Sequence, residues 1–170
     1  MPVGGANVDL VGPQPASTQT DGLGAYQFVG LSAGTWSIVP SKTGDASQSI
    51  TTTDVQTALE ASVGIQTLSP EQALTCDVTA NGSVTAYDGG LMLQLIDQAL
   101  STLPAGQQCN SDWIFFPAPT PVAGGSLIQP APAPDSCEAG AITFAPLTQS
   151  VEGQNFSAAA FGDCDFDWMP

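Results

Sequence analysis

Residues 77–88 read DVTANGSVTAYD and decide how the middle of the chain is expected to fold. Oxygen-bearing residues occupy the first, third, fifth, ninth and twelfth positions, and Gly82 stands at the sixth, where the backbone must bend sharply. This is the spacing of a loop that folds around a calcium ion. The predicted ligands are Asp77, Thr79, Asn81, the backbone carbonyl of Ser83, Thr85 and Asp88. The stretch therefore predicts a Ca²⁺ site followed by a helix.

The last residue of this loop is its main departure from the common pattern. Calcium loops usually end in Glu, whereas this one ends in Asp88, whose shorter side chain makes bidentate contact harder. The alternative is an Asx-rich turn in which Asp88 is only the N-cap of the following helix. The calcium interpretation is favoured because the other oxygens are in register and a helical pattern follows.

Two further stretches carry weaker metal-binding patterns. Asp54 lies 34 residues before Asp88 and also precedes a helical stripe, which indicates a two-fold internal repeat. The corresponding first loop, residues 43–54, lacks an acid at position one and a glycine at position six, so it is either a weak site or a degenerate copy. Its candidate ligands are Asp45, Ser47, Ser49, Thr51 and Asp54. Near the C-terminus, Asp163, Asp165 and Asp167 either begin another loop completed from elsewhere or form a solvated acidic end.

The charge of the chain excludes several classes of function. There are sixteen acidic residues, one Lys or Arg in total and no His, for a net charge of −15. Nucleic acid and anionic membrane surfaces are excluded as partners, since nothing could neutralise phosphates. No apolar run is long enough for a membrane span. Without His or Arg, a Ser or Cys nucleophile has no evident base, so we expect no enzymatic activity.

The four cysteines indicate an oxidising compartment. Their even number and wide spacing, without a CxxC pair, fit two disulfides rather than a zinc site. Three pairings are open, and we favour Cys76 with Cys109 and Cys137 with Cys164, because each pair brackets one compact segment. Four reduced, buried thiols are the alternative. No signal peptide is evident, so an exported protein would be a mature chain or a fragment.

The hydrophobic pattern predicts a mainly β fold with a small α insertion. In residues 3–40, Tyr26 and Phe28 alternate on one strand and Trp36 and Ile38 on the next, with a hairpin turn at 21–24. The period then changes to that of helices. We predict three segments: the first part of a β-sandwich (1–42), a calcium loop–helix repeat (43–104), and strands with a proline-rich strap over 117–134, packing with the first part (105–170).

Two family resemblances follow from these motifs. Residues 2–40, PVGGANVDLVGPQPASTQTDGLGAYQFVGLSAGTWSIVP, resemble the carboxypeptidase-regulatory-like, transthyretin-like β-sandwich of secreted bacterial proteins. Residues 43–100 resemble the dockerin type I repeat, which implies calcium-ligand roles for the residues predicted in 77–88. The helices lack the basic residues that cohesin-binding dockerins usually carry. The sandwich resemblance also implies a missing first strand, which would leave an open edge beside residues 3–10.

These observations together predict an extracellular or cell-surface, calcium-binding structural protein. We expect it to self-associate as a homo-oligomer or polymer, forming a filament, tube or surface lattice. A strand near 126–129 or 155–161 of one copy would fill the open edge of the next. The alternative is a secreted or cell-surface binding module for a cohesin-type protein partner or a glycan. The glycan platform would use Trp36, Trp113 and Trp168, which otherwise belong to the core.

Overall fold

The computed structural model describes residues 2–168. Met1, Met169 and Pro170, which belong to the outer predicted segments, lie outside the described residues. The chain divides into two units. The sheet unit comprises Met1–Lys42, Phe115–Pro130 and Ala139–Ala158. The helical unit comprises Thr43–Ile114, Ala131–Glu138 and Ala159–Pro170.

Strands outnumber helices along the described chain, which confirms the prediction of a mainly β fold with a small helical part. The elements in chain order are β1 (Asn7–Val11), β2 (Ala16–Gln19), β3 (Gly34–Ser41), α1 (Ala46–Ser49), α2 (Thr52–Ser62), α3 (Pro70–Cys76), α4 (Ala86–Ile96), α5 (Pro104–Cys109), β4 (Trp113–Pro117), β5 (Gly125–Ile128), β6 (Ala131–Ala133), β7 (Ser136–Glu138), β8 (Ala141–Leu147) and β9 (Phe156–Ala160).

The sheet unit is built on five antiparallel strands in the order β2-β1-β3-β8-β5. Because side chains alternate across a strand, every second residue of β1, β3 and β8 points to the same buried face. That face carries the core of the unit, formed by Val8, Leu10, Trp36, Ile38, Ile142 and Phe144. Half-buried side chains from irregular segments, from Leu147 of β8 and from Phe156 of β9 pack against it. The sandwich itself stays a prediction.

The predicted open edge beside residues 3–10 is wrong. Strand β1 has a neighbour on each side: Val8 lies opposite Thr18 of β2 and opposite Pro40 of β3. Both segments proposed as donors are used within their own chain, since β5 pairs with β8 and β9 pairs with β4. The backbone hydrogen bonds that donation beside β1 would satisfy are therefore already made within the chain.

Two other local predictions need correction. A tight turn forms at 21–24, where the carboxylate of Asp21 accepts hydrogen bonds from the backbone of Leu23 and Ala25, but it does not connect the two strands of a hairpin. The residues after it, however, are irregular, and Tyr26 and Phe28 reach the core from a loop. The proline-rich stretch 117–134 is also more regular than a strap, since it contains β5 and β6.

The helical unit is organised by α2 and α4, the two helices that the apolar stripes predict. Each begins with a capping box, in which a Thr and an Asp three residues later satisfy free backbone groups. The two helices pack closely, because Gly89 leaves room for the side chain of Leu59. The short helices α1, α3 and α5 were not predicted. Among the described residues, no helix is long and apolar enough to cross a membrane.

Two disulfides are present, as predicted, but the favoured pairing of Cys76 with Cys109 and Cys137 with Cys164 is wrong. Cys76 bonds to Cys164, and Cys109 bonds to Cys137, each with a Cα–Cα distance of 5.1 Å. The β6–β7 hairpin packs against α5, which brings Cys137 to Cys109. The segment after β9 returns to α3, which brings Cys164 to Cys76. The compactness of the segments between neighbouring cysteines was a poor guide, because Cys76 and Cys109 each bond to a cysteine from a later part of the sequence.

The central tryptophan provides a test of the sheet core. Trp36 is fully buried, and its indole N–H donates to the carbonyl of Ser32 at 3.0 Å. We expect Trp36→Ala to lower the free energy of unfolding in urea by about 3–5 kcal/mol. The control Val29→Ala, at a side chain that is 77% exposed, should change it by less than about 0.5 kcal/mol. Equal effects from the two substitutions would contradict this assignment of the core.

Candidate metal centre

The loop at 77–88 curls around the carboxylate of Asp77, which is almost fully buried. One oxygen accepts hydrogen bonds from the hydroxyl of Thr79 at 2.9 Å and the N–H of Asn81 at 3.1 Å. The other accepts from the N–H of Gly82 at 2.5 Å. Gly82 has a φ of 86°, a conformation that glycine adopts without strain. The sharp turn expected at the sixth position is therefore present.

The far end of this loop is held by Asp88, which is fully buried at the start of α4. One carboxylate oxygen accepts from the N–H and the hydroxyl of Thr85, both at 2.8 Å. The other accepts from the N–H of Thr79 at 3.2 Å. Because Thr79 donates to both Asp77 and Asp88, the first, third and twelfth positions of the loop are brought together.

The remaining predicted ligands of this loop have other contacts. The side-chain oxygen of Asn81 accepts from the N–H of Ser83 at 3.0 Å, and both residues are exposed. The hydroxyl of Thr85 accepts from the N–H of Tyr87 and so caps α4. The loop thus has two roles in its fold: an Asx-rich turn and a helix cap, with two carboxylates meeting at Thr79.

The weaker loop at 43–54 is divided between different partners. Asp45 directs its carboxylate to the indole N–H of Trp113 at 3.2 Å. Ser49 donates to the carbonyl of Ala46 within α1, and Ser47 is exposed. The helix α1 occupies this stretch. Thr51 and Asp54 alone repeat the arrangement of Thr85 and Asp88.

Asp54 is fully buried and has the same capping bonds as its counterpart Asp88. One oxygen accepts from the N–H of Thr51 at 2.7 Å and from its hydroxyl at 2.9 Å. The other accepts from the N–H of Cys164 at 2.8 Å and that of Asp165 at 3.4 Å. Asp165 therefore takes the position beside Asp54 that Thr79 takes beside Asp88.

The C-terminal segment also has the backbone shape of the first half of the 77–88 loop. Asp163, Asp165 and Asp167 are spaced as the first, third and fifth positions, like Asp77, Thr79 and Asn81. At the fourth position, Phe166 has a φ of 61° and Ala80 a φ of 58°. The oxygen of Asp163 accepts from the N–H of Phe166 at 2.9 Å. The unit thus contains a second loop in two pieces.

We call Asp54, Asp163 and Asp165 the split site. One carboxylate oxygen from each lies within 4.8 Å of the others. Asp54 and Asp163 are buried and Asp165 is half-buried. The third acid of the tail, Asp167, is exposed, and its N–H donates to Asp165 at 3.1 Å.

Electrostatics at the split site favour a bound proton or cation. Burial, followed by the charge of Asp54, raises the pKa of Asp163 to about 7, despite the N–H of Phe166, which acts in the opposite direction. Burial and Asp54 also raise the pKa of Asp165. A set of three carboxylates offers only hard oxygen donors, which suit Ca²⁺ or Mg²⁺ better than zinc or copper.

Sequence reasoning named each of these residues but did not join them. The sequence pattern places Asp54 in a loop at 43–54, and it does not specify which segment would complete a loop begun by Asp163, Asp165 and Asp167. The signal that could have joined them is the capping pattern shared by residues 51–54 and 85–88. An acidic turn precedes the Asp88 cap and forms the first half of its loop, whereas no comparable turn precedes the Asp54 cap. The structure supplies that half from residues 163–165, more than a hundred positions away.

The raised pKa of Asp163 predicts how stability depends on pH in a chelator. Between its ordinary pKa of 3.8 and about 7, the native protein holds a proton that the unfolded chain releases. We therefore expect the free energy of unfolding to fall as pH rises from about 5 to about 7, above the range of ordinary carboxylates.

Chemical denaturation in the chelator at a series of pH values measures this dependence. Asp163→Asn should flatten the profile over that range, whereas Asp135→Asn, at an exposed site, should leave it unchanged. Stability that rises with pH in the wild-type protein would contradict the assignment.

Comparison of the chain with protein-family models, with curated proteins and with solved structures finds no significant match. The sandwich and dockerin resemblances therefore stay predictions from the sequence motifs. Any statement about function must come from the residues described above.

Proposed function

We propose that this chain is an exported structural protein whose helical unit binds calcium in the 77–88 loop and at the split site. The observation that carries the proposal is the approach of three carboxylates to within 4.8 Å in a chain that has a single Lys or Arg. Like charges at this distance repel strongly where water is scarce. A divalent cation would offset that repulsion and would use the oxygens as ligands.

The architecture of the two loops supports calcium as the ion. In each, an Asp in the first turn of a helix accepts hydrogen bonds from the Thr that caps the helix. Its other oxygen accepts a hydrogen bond from the backbone N–H of the third residue of an acidic turn. Calcium tolerates a flexible shell of six to eight oxygens, which hydroxyls, carbonyls and water can complete. Magnesium prefers a smaller and more regular shell.

Export and a non-catalytic role have separate support. All four cysteines form disulfides, which persist in oxidising compartments such as the extracellular space. The chain has no His, and its most perturbed carboxylate, Asp163, lies among acids that suit a cation better than a substrate. A disulfide-bonded, acidic protein stabilised by calcium fits a structural component outside the cell.

Calcium should stabilise the folded protein in proportion to its binding. At a hundredfold excess over Kd, one bound ion raises the free energy of unfolding by about 2.7 kcal/mol. We expect weak sites, with Kd on the order of 10⁻⁴ M, as in extracellular modules. The melting temperature of the wild-type protein should therefore rise when calcium replaces chelator.

Charge-removing variants assign this effect to the two sites. Asp163→Asn with Asp165→Asn should remove the part due to the split site, and Asp77→Asn with Asp88→Asn the part due to the loop. A matched control, Asp97→Asn with Asp135→Asn, removes two exposed carboxylates and should keep the full effect. A wild-type melting temperature that is the same in calcium and in chelator would disprove calcium binding.

Self-association is the second element of the proposed structural role. The outer strands of the five-stranded sheet, β2 and β5, each have one neighbour in that sheet, and an outer strand can pair with another copy through its second side. A net charge of −15 per chain opposes such contact. Calcium would lower this barrier by reducing the charge of each copy.

Sedimentation velocity tests self-association directly. We expect larger species in calcium than in chelator at matched ionic strength and protein concentration. Sodium chloride at that ionic strength is the control for general screening. A monomer under all conditions, up to millimolar protein, would rule out the self-associating role while leaving calcium binding intact.

A binding module is the second candidate function. The specific observation that favours it is a set of exposed apolar side chains on or next to α2 and α4, which are Leu59, Val63, Ile65, Tyr87 and Leu93. Exposed apolar groups of this size commonly mark contact surfaces. Because the chain is strongly acidic, a protein partner would present basic residues around an apolar centre.

A further inference from the structure

The disulfide between Cys76 and Cys164 adjoins both candidate cation sites. Cys76 is the last residue of α3 and immediately precedes Asp77, the first residue of the 77–88 loop. Cys164 lies between Asp163 and Asp165 of the split site. Both cysteines are fully buried. The bond therefore connects the ligand-bearing segments of the two sites through one pair of sulfur atoms.

Helix α3 is the support on which the C-terminal half of the split site rests. The N–H of Gly162 donates to the carbonyl of Thr75 at 2.8 Å. The side-chain amide of Gln72 donates to the carbonyl of Cys164 at 2.9 Å. With the disulfide, these contacts fix the chain on both sides of Asp163. The position of Asp163 and Asp165 over Asp54 therefore depends on their attachment to α3.

Without the covalent bond, only weak hydrogen bonds would hold residues 162–164 to α3, and conformational entropy and charge repulsion would oppose them. Hydrogen bonds between neutral groups contribute little net stability, because water competes for the same donors and acceptors. Ordering the segment around Cys164 also costs conformational entropy. The three carboxylates of the split site also repel one another, so an untethered segment would move away from Asp54.

We infer that the Cys76–Cys164 disulfide couples oxidation of the chain to cation binding, so that the split site is complete only in the oxidised protein. The inference rests on the calcium binding proposed above. Thermodynamic linkage makes the coupling reciprocal: if the bond strengthens calcium binding, calcium protects the bond from reduction by the same factor. The 77–88 loop is contiguous in sequence and does not need the disulfide to bring its ligands together.

The second disulfide is an internal control. Cys109 and Cys137 join α5 to β7, and neither is next to a residue of the split site or of the 77–88 loop. Its removal also eliminates a cross-link of the helical unit, so it accounts for general loss of stability. It should have no specific effect on the affinity of the split site.

Calcium chloride titrations followed by calorimetry test the first direction of the coupling. The background is the full chain carrying Asp77→Asn and Asp88→Asn, so that the split site alone is measured. Adding Cys76→Ala with Cys164→Ala should weaken binding by about tenfold or more, given the usual effect of losing such a cross-link. Adding Cys109→Ala with Cys137→Ala should leave the affinity within about twofold. Unchanged affinity after loss of Cys76–Cys164 would overturn the inference.

Reduction of the wild-type protein tests the reverse direction and does not depend on whether the variant folds. Dithiothreitol gives two electrons and two protons to the disulfide, producing two protein thiols and the cyclic oxidised reagent. At equilibrium, saturating calcium should lower the ratio of reduced to oxidised Cys76–Cys164 by the same factor found by calorimetry. Asp163→Asn with Asp165→Asn should abolish this protection, and the state of Cys109–Cys137 should be unaffected by calcium.

The outcomes separate this inference from the proposed function. If the wild-type protein binds no calcium, the proposed function fails and the coupling fails with it. If the wild-type protein binds calcium at the split site but the ion does not change the reduction of Cys76–Cys164, the coupling alone is overturned. Equal protection of both disulfides would also overturn it, because it would reflect general stabilisation of the fold.

Discussion

Backbone N–H groups hold the buried carboxylates of the helical unit, and the geometry of that unit follows from this constraint. Among the described residues, five buried aspartates each accept at least one such bond; they are Asp54, Asp77, Asp88, Asp112 and Asp163. A chain with a single Lys or Arg cannot neutralise these charges with its own side chains. The N–H groups satisfy oxygen lone pairs but leave the net charge in place, so the tight acidic turns keep their negative charge close together.

Local patterns predicted some elements of the structure, namely those with a clear period. The alternation of Trp36 and Ile38 indicated β3, and the helical stripes indicated α2 and α4, because each pattern reflects the burial of one face. The turn at Gly82 followed from its loop spacing. Helix α1 escaped prediction, since four residues are too short to have a clear period.

Long-range pairings could not be predicted from the same information. Asp54 meets Cys164 across 110 residues, and Cys76 bonds to Cys164 across 88. No local signal specifies which distant segment will approach, because that choice depends on how all the elements pack. The supposed open edge was wrong for the same reason: whether β1 has two neighbours depends on where β2 and β3 lie.

The split site has a consequence for biosynthesis. The ribosome makes Asp54 early, whereas the residues that face it, 163–165, emerge after nearly all the rest of the described chain. During translation, the carboxylate of Asp54 has its capping Thr51 but lacks its partners from the C-terminal segment. A polypeptide that stops before residue 163 can never assemble this centre. A filled split site would thus distinguish polypeptides that extend past residue 165 from those that stop earlier.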